Sequence, residues 1–427
     1  MWAVAVKGVN MKHAWHWLLA TACAAAAFHP LPSQAQDFDW QAHRLPWQAE
    51  HPLLPRIHGA ALAVTDINNS GQVVGWSSAG IDPQAFVYDA RSGYLRNLGL
   101  GGLQSQATAI NGAGQVVGWA TLQGSTTRHA FISSPGQGTQ RIVDPNGMAT
   151  EAVGINENGH VISRAPIRPE LGYSSYGTVY DGTTVRSAGP GWPIAINNHG
   201  TVLGQFVAGT SQAPWIYLEP GGGVAGLPGW GRFATDLNDA GQVLGHAGPD
   251  GEGRSHAFVS ANGEAVDLGN LGGLDIRPHD LNNAGQAVGW ASLADNSRHA
   301  FLWNAGTMTD LGTLGGRNSV ATAVNERGQV VGFSEVAPGS SERHAFFYSD
   351  GQMIDLTEWL ELSFNEAAGL NSASIVLNDL GQIALDTIMD DGTRGIFLLT
   401  PIPEPSLYAL MLAGLGALAM VRQRRRF

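Results

Sequence analysis

One phrase recurs eight times along this chain: an aliphatic residue, Asn, two variable residues, Gly, and then an aliphatic pair. The copies begin at Ile67-Asn68, Ile110-Asn111, Ile155-Asn156, Ile196-Asn197, Leu237-Asn238, Leu281-Asn282, Val324-Asn325 and Leu377-Asn378. Successive asparagines are 41 to 45 residues apart until the last interval of 53. A fixed period of this length means that one small supersecondary unit is built again and again, and that neighbours must stack to bury what a single unit cannot.

Each unit has the same internal order, clearest from His299 to Phe333. An alternating apolar segment such as Ala321 to Val324 reads as a strand. Asn-x-x-Gly supplies a turn, because Asn bonds its own backbone and Gly accepts positive φ. Gln329 to Phe333 makes the second strand, and a variable loop leads to a short aromatic third strand, His-Ala-Phe in four copies. A fourth strand ends near Asp267, Asp310 and Asp355. Four short strands per unit predict an all-β β-propeller of four-stranded blades, which leaves only short, protected edges. The count of phrases predicts eight blades, with seven blades or an open β-solenoid as the alternatives. The eighth unit runs into the C-terminal segment before a fourth strand can form, so Phe38 to Leu45 is expected to complete it.

Composition agrees with a turn-rich β protein: 57 of 427 residues are glycine, 44% are hydrophobic and 14% are charged. Lys7 and Lys12 are the only lysines, and acidic residues outnumber basic ones. Nucleic acid is therefore excluded as a partner, since phosphate binding needs a basic stripe. Cys23 is the single cysteine, so neither an internal disulfide nor a cysteine-based metal site can form. No Gly-x-x-x-x-Gly-Lys or His-Glu-x-x-His run occurs, and no cofactor is expected.

The two ends carry addresses. Lys12 and His13, the apolar run Ala14 to Phe28 and then Ser33-Gln34-Ala35 have the layout of a secretory signal peptide over residues 1–35, cleaved after Ala35, with Met11 as an alternative start. At the other end, Pro403-Glu404-Pro405 precedes the apolar run Leu407 to Val421 and the cluster Arg422, Arg424, Arg425 and Arg426. Residues 401–427 thus resemble the PEP-CTERM sorting signal of Gram-negative bacteria. The resemblance implies a membrane protease of the exosortase type as a processing partner. It also implies transient residence in the inner membrane through a C-terminal transmembrane helix, and release to the cell surface or outside.

Between these addresses, residues 36–400 form the repeat domain. Its Gln-Val-Val-Gly, His-Ala-Phe, Asp-Leu-Gly-x-Leu-Gly-Gly and Asn-x-x-Gly motifs resemble the HAF-repeat family of extracellular proteins, which implies secretion and brings no established activity. The centre, Gly154 to Leu218, departs from the pattern. Ile162 is followed by Ser163-Arg164 where the repeat has Gly, and Arg164 to Tyr176 reads as a loop holding Arg168, Glu170, Tyr173 and Tyr176. Aromatics and arginines in a loop suit sugar or protein surfaces. Thr357 to Leu362 is expected to form a short capping helix.

The repeated histidines His129, His256, His299 and His344 invite a metal-site reading, but a residue that recurs once per blade does a local job. They are expected to bond a backbone carbonyl at a strand start. Asp66, Asp236, Asp280, Asp310 and Asp355 are expected to cap turns rather than to form an acid/base pair. A calcium site remains a hypothesis. The functional expectation is a secreted, non-enzymatic surface propeller that binds matrix, polysaccharide or a surface protein. A carbohydrate-active enzyme and a structural surface-layer component are the alternatives.

Overall fold

The structure is a computed structural model, and it describes residues 40–44, 61–78, 82–145, 147–168, 173–208, 211–217, 224–226, 233–261, 264–358, 360, 374–388 and 394–401. The described residues form eight four-stranded antiparallel sheets. Seven follow the chain in order, strand beside next strand, as in Ser319–Val324, Val330–Glu335, Arg343–Ser349 and Gln352–Asp355. The other combines Ile375–Leu377, Ile383–Ile388 and Arg394–Pro401 with the N-terminal strand Trp40–Arg44, which pairs Trp40 with Pro401 and Arg44 with Phe397. The expected closing segment therefore lies where the repeat grammar needs it. It joins the two ends of the repeat region in one sheet.

The first strand of each sheet adjoins the first strands of the sheets on either side, which makes these strands the inner wall of a β-propeller. Between sheets lie separate apolar cores. Leu62, Val73, Phe86 and Tyr88 of the first sheet meet Ala384, Ile396 and Leu398 of the last, and Val288, Ala300 and Leu311 meet Ala321, Val330 and Phe346. The Phe of the third strand is among the largest side chains that are fully buried, as at Phe86, Phe131, Phe301 and Phe346.

Seven of the inner strands carry a one-residue bulge just before the Asn turn, for instance between Val64 and Asp66 and between Ala321 and Ala323. The bulge pushes an inner-strand carbonyl towards the second strand and explains Gly in Val-Val-Gly. A Cβ on Gly332 would collide with the Val320 carbonyl and the Phe346 ring, and one on Gly75 with the Ala63 carbonyl and Phe86. In the third sheet Thr178 faces Ser163, where a Phe would otherwise stand, so the larger Ser163 fits. Leu385 sits opposite Phe397 in the sheet whose first strand has no bulge.

One expectation is corrected here. Arg164 to Tyr176 is not a loop throughout: strands Val161–Arg168 and Tyr173–Tyr180 run on, pairing Arg168 with Tyr173. The inner strand stops pairing at Arg164, so beyond it the second strand has no partner on that edge among the described residues, and Pro166 is tolerated there because no ladder bond needs its N–H. Residues 356–358 and 360 are helical, and the rest of the expected capping helix lies outside the described residues.

Candidate functional site

The Asn turns close the ring by themselves. Each Asn side chain accepts the N–H of the residue four positions on and donates through Nδ2 to the backbone carbonyl of the Asn in the next sheet. The chain of bonds runs Asn68, Asn111, Asn156, Asn197, Asn238, Asn282, Asn325, Asn378 and back to Asn68, at 2.8 to 3.1 Å. All eight asparagines are buried. Outside this ring the next residues form an open arc of bonds, in which Glu157 N–H donates to Asn198, Asn198 to Asp239, Asp239 to Asn283, Asn283 to Glu326, Glu326 to Asp379 and Asp379 to Asn69. This end of the propeller is committed to holding sheets together.

One residue before the last of each inner strand, Asp66, Asp236 and Asp280 reach across to the next sheet. Asp66 accepts the N–H of Ile67 and of Ile110, Asp236 those of Leu237 and Leu281, and Asp280 that of Val324. They do not cap turns, as expected from sequence; they take up backbone donors that the bulges leave without ladder partners. Burial pushes Asp66 up to about 6, with the Glu157 and Asp280 charges adding to the rise. Burial and the Asp280 charge push Asp236 well above the carboxylate range, and burial raises Asp280 as well. Sequence reasoning did not bring Asp236 and Asp280 together; their identical place in adjacent repeats was the available signal.

The repeated histidines are clasps within a sheet. His256 Nδ1 lies 2.8 Å from Asp267, His299 Nδ1 2.9 Å from Asp310 and His344 Nδ1 2.7 Å from Asp355. The partner is thus a side chain on the outermost strand rather than the expected carbonyl. The same carboxylates accept N–H groups two residues on, from Gly269, Gly312 and Thr357, which is the turn role foreseen for Asp310 and Asp355. His129 has Arg141 in place of the Asp, so the clasp is lost, and its Nδ1 has no partner among the described residues. Among the described residues no three His, Cys, Asp or Glu side chains converge on a metal position.

The end of the inner strands away from the Asn turns is different in kind. Seven register-equivalent pairs stand there: Ala63 with Trp76, Gln106 with Trp119, Glu151 with Arg164, Trp192 with Gln205, Phe233 with His246, Arg277 with Trp290 and Val320 with Phe333. The aromatic on the second strand is standard, and Arg128 and Arg298 stack on Trp119 and Trp290 at 4.0 and 4.5 Å. In the third to fifth sheets this aromatic is replaced by Arg164, Gln205 and His246. Over the same arc, extended to the sixth sheet, the inner residues become Glu151, Trp192, Phe233 and Arg277.

Within this arc, Glu151 is clamped by Arg128 at 2.8 Å and by Arg164 Nε at 2.9 Å. Burial works to raise its carboxyl, but the two guanidinium groups hold it below its usual range. Trp192 is 52% exposed, an open indole face at the mouth. Phe233 stacks on His246 at 4.7 Å and 14°. Burial, with the Arg277 and His279 charges, pushes that imidazole down to about 4. Arg277 Nη1 and His246 Nδ1 are both buried without a partner among the described residues. Tyr176, singled out from sequence, hydrogen-bonds Asp144 at 2.6 Å, whereas the side chains of Arg168, Glu170 and Tyr173 lie outside the description, as do Ala35 and Pro403 to Pro405.

Known proteins add a delivery route to this geometry. Residues 401–426 match the PEP-CTERM protein-sorting motif. The chain is accordingly a secreted, surface-exported propeller of a Gram-negative bacterium, and its sorting includes exosortase processing. Among the described residues no helix is long and apolar enough to cross a membrane, and the apolar run 407–421 lies outside them. No curated protein matches the chain. Similar solved structures include the Pyrococcus horikoshii acylaminoacyl peptidase, with 12% identity, a TM-score of 0.48 and coverage of 77% of this chain and 57% of that one. An oligogalacturonate lyase in complex with manganese has 9% identity, a TM-score of 0.48 and coverage of 88% and 96%. Porphyromonas gingivalis dipeptidyl peptidase 4 has 10% identity, a TM-score of 0.48 and coverage of 75% and 56%. The chain thus spans little more than half the length of the two peptidases.

Proposed function

We propose that this protein is a non-enzymatic propeller of eight blades that binds extracellular polysaccharide at the surface of the cell that exports it, through the mouth lined by the third to sixth sheets. The observation that carries the reading is the confinement of repeat drift. Where Trp and Phe give way to Arg164, Gln205 and His246, the inner wall simultaneously gains Glu151, Trp192, Phe233 and Arg277. Relaxed packing alone would scatter such changes round the ring. An exposed indole beside fixed hydrogen-bonding groups matches what a sugar ring presents, an apolar C–H face and a rim of hydroxyls.

The paired carboxylates Asp236 and Asp280 favour the enzyme alternative by their proximity, yet they accept three backbone N–H bonds between them and so belong to the frame of the ring. The exported protein should be applied to a glycan array, with a parallel assay for new reducing ends on every glycan that binds. Binding without cleavage is expected. Cleavage would replace the reading with the enzyme, and an empty array would remove polysaccharide as the partner.

A further inference from the structure

Three features of the arc had no role in holding the ring together: the exposed Trp192, the stacked His246 and the unpartnered nitrogen of Arg277. Their charges decide what they can receive. Glu151 is the acidic group of the arc's inner wall, and its charge is already matched by Arg128 and Arg164. Arg277 is the only cation among the seven inner residues of the mouth, and among the described residues it has no carboxylate within ion-pair reach. A guanidinium presents a planar fork that suits a carboxylate, and a charge-assisted bond there is about twice as strong as a neutral one.

His246 stands beside that fork and is held in one orientation by the Phe233 ring, 4.7 Å away. Burial, helped by the Arg277 and His279 charges, holds its pKa down to about 4, so at neutral pH it adds a hydrogen-bonding nitrogen without adding repulsion between two cations. Leaving both nitrogens unpaired in a buried place is destabilising, because each has lost its water without gaining a partner. An anionic group placed between them would supply both partners. Trp192, on the inner strand of the fourth sheet, offers the flat surface on which the ring bearing that group can lie.

We infer that the mouth takes an acidic glycan, with Arg277 and His246 receiving the carboxylate of a uronic acid residue and Trp192 stacking on a sugar ring of the same chain. This rests on the polysaccharide reading and narrows it to a ligand class. The selectivity comes from Arg277. Trp192 contributes to neutral and acidic chains alike.

Titration calorimetry on the exported protein tests it, using oligomannuronate, the same oligosaccharide after reduction of its carboxyl groups to neutral hexoses, and monomeric glucuronate. Oligomannuronate should bind at least about tenfold more tightly than its reduced form, the size of effect that one lost charge-assisted contact gives. Arg277→Gln should bring the acidic oligosaccharide down to the level of the reduced one. Arg327→Gln, at the Asn-turn end, should leave affinity unchanged. Trp192→Ala should weaken both oligosaccharides by a similar factor. Arg277→Lys keeps the charge without the fork and should lie between wild type and Arg277→Gln, which gives a second reading if the Gln variant fails to fold. Equal binding of the acidic and reduced forms, or wild-type affinity in Arg277→Gln, overturns the carboxylate assignment while leaving a polysaccharide site in place. Glucuronate bound as tightly as the oligosaccharide would overturn the glycan in favour of a small organic acid. Binding of none of the three would remove both readings.

Discussion

At the scale of single residues, the asparagine of each turn is held by hydrogen bonds through both its oxygen and its nitrogen. Asn282 donates to the Asn325 carbonyl at 2.8 Å and to Gln286 Oε1 at 2.7 Å, and accepts the Gln286 N–H at 2.9 Å. Asn282→Ala should therefore cost about 3 kcal/mol in urea unfolding, because buried partners are left unpaired, whereas Gln286→Ala should cost about 1 kcal/mol. Asp66 gives a pH signature. Its pKa is about 6 in the folded protein against 3.8 as a free side chain, so between these values the native state binds more protons than the unfolded chain. Its contribution to stability is full below about pH 4 and is lost as pH rises through about 6. Denaturant midpoints of wild type and Asp66→Asn, compared from pH 4 to 7, should show a smaller decline in the variant than in wild type, the remainder coming from Asp236 and Asp280, whose carboxyls are raised as well. The recurrence of Asp66, Asp236 and Asp280 was legible in the sequence, but their task was not. Their partners are N–H groups freed by a bulge, and a bulge shifts register by one residue without any motif of its own.

At the scale of strands and sheets, the repeat grammar was read almost directly, because turn chemistry and period-2 alternation are local properties. What escaped was the continuation of Val161–Arg168 and Tyr173–Tyr180 as strands, since a Pro in the segment argues for a loop unless one knows that no ladder bond needs its N–H. The coupling of Gly to Phe predicts a contrast. Gly332→Ala should destabilise by about 3 kcal/mol, since its Cβ meets backbone that cannot retreat, and Ser163→Gly should change stability by less than about 1 kcal/mol. The closing strand makes a second case. Deletion of residues 40–44 leaves the last sheet without the partner of Arg394–Pro401, and the melting temperature should fall by several degrees, about what a loss of 1 kcal/mol or more produces. An unchanged melting temperature would show that the strand closes nothing.

At the scale of the whole molecule, the two ends of the inner strands have separate tasks. The Asn-turn end spends its polar groups on bonds between sheets, and the opposite mouth holds the side chains that differ from sheet to sheet. Sequence alone located the drifted centre, Gly154 to Leu218, but placed its weight on Arg168, Glu170 and Tyr173. Register brings forward instead Glu151, Trp192, Phe233 and Arg277, which lie more than 120 residues apart at their extremes and share only a position in their strands. No single-sequence pattern reports that position before the bulges are known. The division of labour between the two ends is the central claim, and hydroxyl-radical footprinting of the exported protein with and without the polysaccharide of its own cell surface tests it most directly. Protection should fall on Trp192, Phe233 and His246 while the residues beside the asparagines, such as His199 and Arg327, keep their reactivity. Protection confined to the Asn-turn end, with Trp192 unchanged, would contradict the account.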